Sequence, residues 1–78
     1  MTKLEARLLD IRTLLAQENL DTVIFHLHPD DFYRLRVDMP MSTNVLILDG
    51  SYVEKNDTVP MGGCIVESRL RPLFYWLD

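Results

Sequence analysis

The chain lacks most of what usually reinforces a small protein. Its 78 residues include one cysteine, Cys64, so no intramolecular disulfide is open to it. A lone cysteine fits a reducing compartment. Its neighbours Ile65 and Val66 mark Cys64 as a small buried hydrophobe rather than a reactive thiol. No apolar run approaches the roughly 20 residues of a membrane span. Met1-Thr2-Lys3-Leu4-Glu5 alternates charge with apolar residues and has no signal-peptide core, so the expected address is the cytoplasm.

Cations are scarce. Eight Lys and Arg face twelve Asp and Glu, for a net charge of -4. An acidic domain is repelled by phosphate backbones unless it segregates its basic residues. Arg34 with Arg36, and Arg69 with Arg71, are the only local pairs, too thin a footprint for nucleic acid. Glycine numbers three. Gly62-Gly63 precedes a predicted strand, with no Lys-Ser/Thr behind it, so it reads as a turn needing positive φ rather than a phosphate loop. There is no nucleophile-elbow pattern, and Asp30 and Asp31 diverge on a helix as sequence neighbours. The chain is expected to be no enzyme, with no cofactor and no evident small-molecule substrate.

What is present is globular: 47% apolar residues, 26% charged. One domain over 1-78 is expected, ending in a hydrophobic aromatic segment over 72-78. Thr2-Lys3-Leu4-Glu5 has the capping-box spacing. Leu4, Leu8, Ile11 and Leu15 then trace one stripe, widened by Leu9 and Leu14, on a helix to about Gln17, with Asn19 as its stop. That stripe suits packing on the protein's own sheet, or a short dimer seam at heptad spacing. Val23 to Leu27 is β-branched and aromatic, a strand with Val23, Phe25 and Leu27 on one face. Pro29-Asp30-Asp31 opens a second helix to about Asp38, with Phe32, Leu35 and Met39 inward. Residues 39-43 read as a loop. Val45 to Leu48 is continuously apolar and reads as the central strand. Asp49-Gly50 turns it into Ser51-Tyr52-Val53-Glu54. Cys64 to Ser68 is the last strand. The predicted fold is α+β: a small three- to four-stranded, mostly antiparallel sheet with two helices on one face, in the order α-β-α-β-β-β.

Two local patterns suggest chemistry or kinship. His26-Leu27-His28-Pro29-Asp30-Asp31 resembles the His-x-His-x-Asp-His loop of the metallo-β-lactamase superfamily. That resemblance implies a metal held by His26 and His28 with Asp30 or Asp31. The chain departs from the pattern at Asp31, at Phe32-Tyr33 where the superfamily has Gly-Gly, and in having no third histidine. The alternative is a strand-to-helix junction with His28 as cap and the acids stabilising the helix start. A broader likeness runs through His28-Pro29-Asp30-Asp31-Phe32-Tyr33-Arg34-Leu35, Ile47-Leu48-Asp49-Gly50 and Val59-Pro60-Met61-Gly62-Gly63-Cys64-Ile65-Val66. It resembles a segment of tailed-phage major capsid (head) proteins and implies a small phage or prophage structural protein. It carries no functional residues over.

The most informative stretch is Leu73-Phe74-Tyr75-Trp76, with the only tryptophan. Neighbouring strand residues face opposite sides, so three adjacent aromatics cannot share one interior. A small chain has little core to hide them. The leading expectation is a non-enzymatic interaction protein that self-associates, commonly as a twofold dimer. Its partner interface would comprise Arg71, Leu73, Phe74, Tyr75 and Trp76, with the Leu4-Leu15 stripe or Tyr52. Outward apolar positions such as Ile24 and Ile47 would then be closed over by the tail or by a partner chain. The alternatives are an acidic inhibitor that blocks a host protein, with Asp30, Asp31, Asp38, Asp49, Glu54 and Asp57 on one face, and the metal site at His26 and His28.

Overall fold

The helix-forming stripe sets the first layer. In the computed structural model, which describes residues 2-16, 23-35, 44-48, 50-67 and 72-78, α1 spans Lys3–Ala16. The Glu5 amide donates to Thr2 Oγ1 at 3.1 Å, and the Ala6 amide to the Thr2 carbonyl at 3.0 Å. The first satisfies an otherwise unpaired donor of the first turn, and the second is the first intrahelical bond. Leu8, Ile11 and Leu15 are buried. Each such burial contributes about 1.5–3 kcal/mol. The stripe therefore packs on the protein's own sheet, while Leu14 stays on the solvent side.

Five strands follow: β1 (Ile24–Leu27), β2 (Val45–Leu48), β3 (Ser51–Lys55), β4 (Gly63–Glu67) and β5 (Leu73–Trp76), with α2 (Pro29–Leu35) between β1 and β2. They form one sheet in the order β2-β3-β1-β4-β5. The class is α+β with two helices, as expected, but the sheet has one strand more and is mixed. β1 runs parallel to β3, and the other pairings are antiparallel. The expected element order is extended by β5, since Leu73–Trp76 pairs with β4. The β2–β3 hairpin matches the Asp49-Gly50 signal: Leu48 pairs with Ser51 and Gly50 has φ +81°.

The centre of the sheet is β1, not Val45–Leu48, which forms an edge. The continuous apolar run suggested two covered faces, yet Val45 and Ile47 are exposed and only Leu46 is buried. β1 holds the centre although His26 interrupts its apolar pattern. The second helix is described to Leu35, with Phe32 and Leu35 buried. The expected extension to Asp38, inward Met39, the loop over 39-43, Asn19, Asp49, Ser68 and Arg71 lie outside the described residues.

Both helices pack on the face that carries Phe25, Leu27, Leu46, Val53, Cys64 and Val66. Strand alternation sends every other residue to the opposite face, which neither helix covers.

Candidate interaction surface

Register assembles the uncovered face from all five strands. Ile47 pairs with Tyr52, and Tyr52 with Ile24. One row along, Val45 pairs with Glu54, Glu54 with His26, His26 with Ile65 and Ile65 with Phe74. Gly63 pairs with Trp76. Val45, Ile47, Tyr52, Phe74 and Trp76 are between 42% and 68% exposed. They stand at the β2–β3 and β5 ends of the face, and exposed apolar side chains gathered in this way mark interaction sites on small proteins.

The aromatic segment divides as strand geometry requires. Leu73 and Tyr75 are half-buried against the core, whereas Phe74 and Trp76 stand outward. Their rings meet edge to face, centroids 4.9 Å apart at 88°, the arrangement favoured by aromatic quadrupoles. The segment thus adds an edge strand and two aromatic rings to the uncovered face, and does not close it. Arg7 of α1 holds this edge: its Nε and Nη2 donate to the Trp76 carbonyl at 3.2 and 3.1 Å. The Leu77 amide donates to the Gly62 carbonyl at 2.9 Å, continuing the ladder.

The polar centre of the face is His26. Its Nε2 lies 3.0 Å from Glu67 Oε2 and its Nδ1 3.7 Å from Glu54 Oε2. The imidazole side chain is 16% exposed; the glutamates are 40% and 59%. His28 is separated from it in role. The Asp30 amide donates to His28 Nδ1 at 3.2 Å and the Phe32 amide to the His28 carbonyl at 2.9 Å, so His28 caps α2. Among the described residues, no group of three or more His, Cys, Asp or Glu side chains is placed to hold a metal ion.

Asp30 is exposed in the first turn of α2, but Asp31 is buried. Its Oδ2 accepts from the Gly62 amide at 2.8 Å and its Oδ1 from Arg34 Nη1 at 3.3 Å. The carboxylate thereby ties α2 to the turn before β4. Gly62 there has φ +83°, the left-handed conformation expected of a turn glycine. Of the other acids, Glu54 lies on the uncovered sheet face and Asp57 in the β3–β4 connection, so the described acids do not gather on one face. Asp38 and Asp49 lie outside the described residues.

Cys64 is fully buried on the helix side. Burial pushes its thiol from 9.0 up to about 12, against smaller lowering effects of a His26 backbone hydrogen bond and the Arg7 charge. A thiol so held is not an effective nucleophile near neutral pH. Lys55 Nζ bonds the Tyr33 hydroxyl and sits 4.9 Å from that ring's centroid, joining β3 to α2 on the inner side.

Sequence reasoning did not find the glutamates flanking His26. Glu67 is forty-one positions away in the chain and becomes a neighbour only through the β1–β4 register. It also did not find Arg7 at Trp76, for which no local pattern exists. No helix among the described residues is long and apolar enough to cross a membrane. No family model, curated protein or solved structure matches the chain.

Proposed function

We propose that the chain is a non-enzymatic interaction protein that self-associates through the uncovered face of its sheet, with Trp76 and Phe74 as anchors. One observation carries the reading: five large apolar side chains from β2, β3 and β5 stand 42–68% exposed on a face that neither helix covers. Tryptophan and tyrosine are favoured anchors in such patches. Leu73 and Tyr75 contribute by fixing the strand that presents the anchors.

The scatter of acids supports plain solubility over an acidic inhibitor surface. The stretches resembling phage head proteins fall on α2, the β2–β3 hairpin and the β3–β4 connection through β4. A phage or prophage structural protein working in the cytoplasm is the setting that resemblance supplies. The test is molar mass by light scattering over a range of concentrations. A concentration-dependent rise that Trp76→Ala abolishes is expected. A single monomeric mass at every concentration would refute the reading.

A further inference from the structure

We infer that the occupant of this face is a second copy stacked sheet to sheet, and that the stacking takes up protons at the Glu54–His26–Glu67 cluster. The inference rests on the self-association reading and adds to it the mode of packing and its control by pH.

The area suits a weak contact. Five strands spaced about 4.8 Å apart, each with four or five residues rising about 3.3 Å, give a face of about 24 by 15 Å. Two such faces present about 720 Å² of flat sheet, and side-chain relief raises this toward the roughly 1,000 Å² lower bound of a specific interface. Aligned packing of twisted sheets at about 30° brings two faces together in this way. A weak, reversible dimer is the expected species.

Charge supplies the control. The charged and titratable groups facing His26 among the described residues are Glu54 from β3 and Glu67 from β4, with the Tyr52 hydroxyl beyond Ile24; β5 offers Phe74 and Trp76, which do not titrate. No cation other than His26 itself stands in the described part of this face. With the imidazole neutral, the described residues of each copy bring two carboxylates to the seam and no compensating charge. Burying unpaired carboxylates is costly and like charges repel. A protonated imidazole between them donates from Nε2 to Glu67, sets its charge 3.7 Å from Glu54 and halves the net charge. Stacking therefore favours the protonated form, and by linkage protonation favours stacking. The sign is definite: association strengthens as pH falls.

Sedimentation equilibrium of the whole chain at about pH 8 and about pH 5.5 tests this. The dimer Kd is expected to fall about tenfold or more on acidification. The double variant Glu54→Gln with Glu67→Gln is expected to dimerise more tightly than the native chain at pH 8 and to lose most of the pH dependence. Ile47→Lys should weaken the dimer at both pH values, while Leu14→Lys, on the exposed side of α1, should not. Circular dichroism at each pH confirms that every variant is folded. A dimer whose Kd is the same at both pH values overturns proton uptake and leaves self-association standing. A dimer broken by Leu14→Lys but not by Ile47→Lys overturns the stacked-sheet mode. A monomer under all conditions sinks the inference and the reading beneath it.

Discussion

The ring of Phe74 lies across the α-carbon of Gly63, so that a Cβ added there would stand 2.7 Å from Cζ and 2.9 Å from Cε2 of the ring. Gly63 is thus kept bare by an aromatic side chain from the neighbouring strand, a pairing that compensates the glycine's lack of packing surface. Pro60 Cγ closes the same space at 3.2 Å.

Gly63→Ala should therefore force the Phe74 ring off its seat and break its edge contact with Trp76. The expected loss is about 1–3 kcal/mol, read by urea denaturation. In a Phe74→Ala background the same substitution should cost much less. Equal costs in the two backgrounds would show that the contact is not responsible.

Trp76→Ala and removal of residues 72-78 should behave differently. The first removes an outward ring, and the fold should keep its melting temperature within a few degrees. The second removes β5 and with it the cover that Leu73 and Tyr75 give to Val66 and Cys64. Loss of the dimer and a lower melting temperature are expected. Unchanged mass and melting temperature after truncation would contradict both the interface and the role of β5 in the sheet.

Asp31→Ala should be the most damaging polar substitution in α2. It leaves the half-buried Gly62 amide without its 2.8 Å acceptor. An orphaned donor costs about 1–3 kcal/mol when fully buried and less where water reaches it. Asp31→Asn keeps an acceptor oxygen and should lie in between. Arg34→Ala should cost little, since that side chain is 74% exposed. Thermal melts of the three variants give the order.

Cys64 makes the fold sensitive to alkali. Its thiol is raised from 9.0 to about 12 in the folded chain, so above pH 9 the unfolded chain loses a proton that the native chain retains. The native state then binds more protons, and stability falls with rising pH over that window. Cys64→Ala should flatten this part of the profile. At pH 8 the native thiol should resist a thiol-specific reagent that labels the urea-unfolded chain at once. Prompt labelling of native protein would contradict the burial.

Local signals foretold local features. The α1 stripe, its Thr2 cap, the proline start of α2, the Asp49-Gly50 hairpin and the turn at Gly62 all depend on residues a few positions apart. The outward placement of Ile47 also followed from alternation. What failed was pairing at a distance. A four-residue apolar run such as Val45–Leu48 looks alike whether its outer side meets a second layer or solvent. The parallel alignment of β1 with β3 passes over α2 and β2, and no dipeptide encodes it. The aromatic segment had no turn signal tying it to β4, so its identity as a fifth strand was hidden. The face itself was half legible: its apolar members were nameable, its charged middle was not.

The parallel seam between β1 and β3 also bears on how the molecule comes together. Ile24–Leu27 finds its first flanking strand only when Ser51–Lys55 arrives, and its second when Gly63–Glu67 does. Closing such long loops is slow compared with helix or hairpin growth. On a ribosome, the middle of the sheet must wait until nearly all of its partners have emerged. Until then its hydrophobic side chains are exposed to chaperones and to other nascent chains.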